Sequence, residues 1–222
     1  MGLNIMDGID SSKLQRLVVA IVDDHEVVLE GFRRFMLDNG IGQVETFKTA
    51  HELLDRMAAV RFDVVIVDVE LPDMDVVQLM DSMRLCQADV RIVIHTIHEE
   101  MWVVNRMMKK HIDGVVYKTS RLEQLLEAIV AANEGRQYFC PKFRKLRNVM
   151  EVQGHILSDR EQEVLSEIAR GKSTKEIADV LFISVNTVEN HRRNLLRKLN
   201  ARNVADLVVR SITAGYLNPA EL

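Results

Sequence analysis

Leu17-Val-Val-Ala-Ile-Val22-Asp23-Asp24 is an apolar run rich in β-branched side chains that stops abruptly on two carboxylates. It has the length of a strand, and its unbroken hydrophobicity suits a strand covered on both faces inside a parallel sheet. The pattern recurs in Gln43–Phe47, Asp63–Val67, Val90–His95 and Gly114–Tyr117, each followed by a stretch with helix-like character. In His25–Leu37 the residues Val28, Phe32, Phe35 and Met36 are spaced for one helix face, as are Leu125, Leu126, Ile129 and Val130 in Leu122–Asn133. Glu134-Gly135 supplies a helix stop. Five βα units in succession predict a five-stranded, doubly wound parallel α/β domain.

Outward from that run, the chain reads as an N-terminal extension over 1–15, the α/β domain over 16–136, a linker over 137–153 and an all-α domain over 154–222. At 222 residues there is room for two domains. A hydrophobic content of 47% with 28% charged residues predicts an ordinary globular core and excludes a disordered or fibrous chain. The apolar runs are far shorter than a membrane span, and residues 1–15 lack the form of a secretory signal, so a cytoplasmic protein is expected. Cys86 and Cys140 are far apart and outside any metal-binding spacing, which excludes a zinc or disulfide scaffold. Net charge is −4, but residues 1–136 carry 15 Lys and Arg against 23 Asp and Glu, whereas Ser184–Arg202 carries five basic residues and one acid, Glu189. Affinity for nucleic acid is therefore expected from that local surface.

Ligands of an open parallel sheet bind outside the carboxyl ends of its strands. Here the first strand ends in Asp23 and Asp24, the third in Asp68, the fourth in Thr96 and the fifth in Lys118. Taken singly, Asp24 reads better as a helix cap and Lys118 as a solvated lysine, Thr96 also fits a cap, and Asp68 is a common strand-end residue. Taken together, three neighbouring carboxylates require a cation, and an oxygen-only set suits Mg²⁺. An aspartate can also accept a phosphoryl group as a nucleophile, with Lys118 holding a phosphate oxygen and Thr96 donating to it.

Ile21-Val-Asp-Asp-His25, Val65-Ile-Val-Asp68 with Leu71-Pro72, Ile92-Val-Ile-His-Thr96 and Val116-Tyr-Lys118 resemble the receiver domain of two-component response regulators, over about residues 15–135. The resemblance implies a flavodoxin-like fold, Mg²⁺ on Asp23, Asp24 and Asp68, phosphorylation of Asp68 by a sensor histidine kinase, and phosphate sensing by Thr96 and Lys118. Ile97 stands where the family usually has a small residue, Val115 where it has a switch aromatic, and Thr119 where a proline often follows the lysine. Glu70 and His98 occupy positions that in the family tune phosphoryl lifetime.

From Leu157 the pattern is helical, with Ser158 and Glu161 spaced as a capping box and helices expected over Asp159–Ala169, Thr174–Leu181, Val185–Leu199 and Val204–Ala214. Leu157-Ser-Asp-Arg-Glu-Gln-Glu-Val-Leu165, Ala169-Arg-Gly171, Thr174-Lys-Glu-Ile-Ala178 and Ser184-Val-Asn-Thr-Val-Glu-Asn-His191 through Leu199 resemble the LuxR-type helix-turn-helix. With the receiver, the whole chain resembles a NarL/FixJ-type response regulator. Val185, Val188, Leu195, Leu196 and Leu199 are expected to pack the third helix, leaving Glu189, Asn190 and Arg193 for base edges. Ser173, Thr174, Lys175, Thr187, Arg192, Arg197 and Lys198 are expected at phosphates, and His191 in a supporting role. Val208 and Ile212 fit a homodimer surface or the core equally. The function expected is a transcription factor controlled at Asp68, not an enzyme. Two alternatives are a phosphorylation-independent DNA binder and an aspartyl-phosphate phosphatase, the latter disfavoured by Glu70 standing two residues after Asp68.

Overall fold

The computed structural model describes residues 11–99, 103, 110–153, 157–219 and 222. Most of the N-terminal extension, the start of the second domain and the stretch after the fourth strand, where a helix is expected, lie outside these residues. Two compact units are present, one comprising residues up to His98 with Lys110–Arg144, the other taking in Lys145–Leu222.

The first unit is a parallel sheet with β1 Val18–Val22, β2 Gln43–Phe47, β3 Val64–Val67, β4 Arg91–Thr96, β5 Gly114–Tyr117 and β6 Tyr138–Phe139, in the order β2-β1-β3-β4-β5-β6. β6 is an addition to the five expected strands: two residues paired with β5 inside the stretch read as linker. A two-residue strand shows no alternation, so nothing in its sequence marks it.

The described helices of this unit are the short α1 Ser11–Leu14, α2 Glu26–Asp38, α3 Ala50–Met57, α4 Val76–Cys86 and α5 Leu122–Asn133, and its last residues, Pro141–Arg144, begin α6 Pro141–Gln153, whose remainder belongs to the second unit. Alternate strand residues divide the sheet. Val19, Ile21, Val64, Ile66, Val93 and Val116 form one core with Leu29, Phe32 and Met36 of α2 and Leu125, Leu126 and Ile129 of α5. Their neighbours Ala20, Val22, Val65, Val67, Ile92 and Ile94 are equally buried, which is why these strands read as continuous apolar runs. β1 pairs with both β2 and β3, so chain order reverses there and the ends of β1 and β3 open side by side at a topological switch point.

The second unit contains α7 Asp159–Ala169, α8 Thr174–Val180, α9 Val185–Lys198 and α10 Val204–Thr213. Val164, Leu165, Ile168, Ile177, Val188, Leu195, Leu199 and Leu207 build its core, and Leu196, Val208 and Ile212 pack against it. Val208 and Ile212 thus belong to the packing of the bundle. Val185 departs from expectation: at the first position of α9 it lies beside the turn and is about half exposed.

Candidate functional site

Asp23 follows β1, Asp68 follows β3, Thr96 closes β4 and Lys118 follows β5. The sheet ladder continues through these positions. The Asp23 amide donates to the Phe47 carbonyl at 3.1 Å, Asp68 to Val22 at 3.0 Å and Lys118 to Thr96 at 2.7 Å. Backbone pairing therefore fixes where the side chains emerge.

Asp23, Asp68 and Thr96 are buried. Lys118 Nζ lies 2.6 Å from Asp23 Oδ2 and 2.6 Å from Asp68 Oδ2. Burial pushes the Asp68 carboxyl up from its ordinary value, the Lys118 ammonium opposes this without cancelling it, and the Asp23 charge adds to the rise. Burial also works against the charge on Lys118, but hydrogen bonds to Asp23 and Asp68 outweigh it and hold the ammonium above its ordinary value. One partly buried cation is shared by two buried carboxylates.

Asp24 is set differently, partly exposed with Oδ1 2.6 Å from His25 Nδ1. His25 is the N-cap residue of α2 and makes no side-chain cap bond, so Asp24 is not the helix cap that its position allows. Instead Asp23 Oδ1 accepts from the His25 amide at 3.0 Å. Ligand atoms of Asp23, Asp24, His25 and Asp68 all lie within 4.8 Å of one another. His25 joins this group without a role assigned from the sequence, where its only signal is adjacency to the acidic pair.

Thr96 Oγ1 accepts from the His98 amide at 3.0 Å, which leaves its hydroxyl hydrogen available for another acceptor. Beyond the strand ends, His98 Nε2 and Glu70 Oε1 stand 2.8 Å apart, and Ile97 is largely exposed. Val115 is buried, and so is Tyr117, whose ring centroid lies 6.3 Å from that of Phe143 on the first turn of α6. His95, edge-on to Phe32 at 4.7 Å, is pushed down to about 4 by burial and then by Lys118.

In the second unit each described helix begins with a side-chain cap. Ser158 and Glu161 form the expected capping box, and Ser173 with Glu176 forms a second that starts α8. Ser184 Oγ caps α9 by accepting from the Thr187 amide at 3.0 Å, and the two hydroxyls lie 2.7 Å apart. The turn between α8 and α9 passes through Phe182 at φ 52°, a left-handed conformation that favours glycine. Glu189, Asn190, Arg193 and Arg197 are exposed on α9, and Lys175 is exposed on α8. Arg193 Nη2 donates to Asn190 Oδ1 at 2.6 Å. Thr174 Oγ1 donates to Glu189 Oε1 at 2.7 Å and accepts from Arg192 Nη1 at 3.0 Å. Lys198 is drawn the other way, with Nζ 2.6 Å from Glu161 Oε2.

An acidic pocket at a switch point, closed by a lysine, in one chain with a capped helix-turn-helix bundle defines a class: a receiver joined to a nucleic-acid reader. Residues 19–130 match the response regulator receiver domain, and residues 155–211 match the bacterial regulatory proteins of the luxR family. The nitrate/nitrite response regulator protein NarP of Escherichia coli is 34% identical over 192 residues, covering 83% of this chain and 89% of that protein. The transcriptional regulatory protein DegU of Brevibacillus brevis is 28% identical, covering 94% and 97%. Among solved structures, RcsB from Salmonella enterica serovar Typhimurium bound to a promoter with phosphomimetic BeF₃⁻ superposes with a TM-score of 0.64 at 23% identity, covering 89% of this chain and 98% of that one. The chain belongs to the two-component response regulators of the NarL/FixJ type, transcriptional regulators that bind DNA. Among the described residues no helix is long and apolar enough to cross a membrane.

Proposed function

We propose that Asp68 accepts a phosphoryl group from a sensor histidine kinase and that this modification controls how α9 binds double-stranded DNA. The observation that carries the reading is the position of Lys118 Nζ, 2.6 Å from both Asp23 and Asp68. A partly buried lysine between two buried carboxylates at a switch point is arranged for a third anion to arrive.

In the transfer, an Asp68 carboxylate oxygen attacks phosphorus, the phosphorus–nitrogen bond of the donor phosphohistidine breaks, and the imidazole leaves with the electron pair and takes up a proton. An acyl phosphate results. Asp23, Asp24 and Asp68 supply oxygen ligands close enough together for Mg²⁺, which offsets charge on the transferring oxygens when bound. His25 lies in the same group, but its nitrogen is a poor match for a hard cation. Lys118 exchanges a carboxylate for a phosphate oxygen, and Thr96 turns its free hydroxyl hydrogen toward the phosphoryl group. The chain stores the group and reports it, with no turnover of small esters.

Val115 leaves the usual switch position without an aromatic ring. Tyr117, adjacent to Lys118 and packed on Phe143, carries the change to α6 instead. Glu189, Asn190 and Arg193 of α9 meet base edges, while Ser173 and Lys175 at the start of α8, with Thr187, Arg192 and Arg197 of α9, position the protein on phosphates. Lys198 stays with Glu161 and supports the bundle. The protein acts in the cytoplasm as a homodimer on paired half-sites, a reading supported by the RcsB structures that hold dimers on DNA.

DNA-site selection on phosphorylated and unphosphorylated protein, followed by affinity measurement at one fixed salt concentration, tests this reading. Phosphorylated protein should bind the selected site several-fold more tightly. Equal affinities would favour a reader that works without phosphorylation.

A further inference from the structure

We propose that Glu189 reads a cytosine in each operator half-site, and that Thr174 and Arg192 are positioning residues that hold its carboxylate for that base. The inference rests on α9 being the DNA reader.

A carboxylate in a face that meets phosphates is repelled unless it is held or has a donor to meet. Glu189 has both. Thr174 Oγ1 donates to Glu189 Oε1 at 2.7 Å, and Arg192 Nη1 donates to that same hydroxyl at 3.0 Å. A hydroxyl has one hydrogen, and Arg192, having no acceptor, can only donate to it. The Thr174 hydrogen is therefore directed to Glu189, and the carboxylate is oriented before DNA arrives, so less side-chain freedom is lost on binding.

The relay is not needed to start α8. That helix is already closed by the Ser173 and Glu176 capping box. What the relay does is tie the beginning of the supporting helix to the fifth residue of α9, on the N-terminal part of a recognition helix that stands nearest the bases. Glu189 is exposed there.

Base chemistry narrows the ligand to one. An ionised carboxylate can only accept hydrogen bonds. In the major groove guanine presents only acceptors and thymine presents an acceptor beside a methyl group, so neither gives Glu189 a donor. Adenine offers its amino group beside the N7 acceptor, which repels a carboxylate. Cytosine offers its amino group with no acceptor of its own beside it.

Site selection from a randomised duplex pool with the full-length protein tests this, using wild type, Glu189→Gln, Glu189→Ala, Thr174→Val and Thr174→Ser, each checked for an unchanged melting profile. In wild type one position per half-site should favour cytosine by about tenfold, the ordinary scale for a mismatched base pair. Glu189→Ala and Glu189→Gln should relax that position and no other. Thr174→Val should keep cytosine but weaken the preference several-fold, and Thr174→Ser should restore it. A Glu189-dependent position that favours another base, or no Glu189-dependent position, would overturn this inference while leaving α9 as the reader. A protein that selects no sequence would overturn both.

Discussion

The carboxylates of the sheet unit and those of the helical unit are one chemical group under opposite constraints. In the helical unit, Glu161 is pushed up by burial but pulled further down by Lys198 and Ser158. Glu176 is lowered by the Ser173 hydroxyl and amide, and Asp206 by the Arg202 amide and then Arg210, with burial opposing in both. Each has donors that favour its charge. Asp68 faces the reverse balance, because burial and Asp23 raise its pKa against a lysine it must share. The carboxylates that hold the helical unit together are satisfied, and the proposed phosphoacceptor is left crowded. The difference can be broken from either side.

The largest effect is expected for Lys118→Met in a chelating buffer. It leaves Asp23 and Asp68 buried without their cation, a loss of about 3 kcal/mol of unfolding free energy. Added Mg²⁺ should restore part of it by binding the folded state, and urea unfolding with and without Mg²⁺ measures both quantities. Indifference to Lys118→Met would mean that the pocket is not electrostatically crowded.

Glu161→Ala comes next, at about 2 kcal/mol, because it removes one side of a capping box and leaves Lys198 without its partner. The contribution of Glu161 should be full above its ordinary value of 4.5 and fall away as pH drops through its lowered value. Denaturation of wild type and variant at several pH values would show the gap closing on acidification. A gap constant with pH would place the effect in packing.

A smaller case lies in the sheet unit itself and sharpens the distinction. Asp73 accepts from the Ala50 and His51 amides at 3.0 Å each, at the start of α3. Burial raises its pKa, but these amides and the His51 ring outweigh that and hold it at about 2. Asp73→Ala should cost about 1 kcal/mol. That difference should be present above pH 3.8 and lost as pH falls through about 2. Asp73 is therefore a structural carboxylate close in sequence to the proposed phosphoacceptor, and its substitution should leave labelling of Asp68 unchanged.

What the sequence shows of this arrangement is whatever local pattern encodes. β1, β3, β4 and β5 were legible because strands buried on both faces are continuous apolar runs, and the polar residue ending each run marked a pocket position. Ser158 and Glu161 were legible because a capping box spans three residues. The Lys198 to Glu161 pair spans 37 residues and has no local sign, so Lys198 reads in sequence as another cation of a basic helix. The Thr174 to Glu189 bond, 15 residues apart, is hidden in the same way. His25 was visible but uninformative, since adjacency to two acids does not show that its ring turns back toward them. Val185 fits the apolar spacing of α9, yet at its first turn the bundle does not reach it.

Intact-mass measurement after incubation with acetyl phosphate and Mg²⁺ tests the assignment of Asp68 most directly. Wild-type protein should gain one phosphoryl group, while Asp68→Asn, folded to the same extent by circular dichroism, should gain none. A phosphoryl group on Asp68→Asn would contradict the assignment.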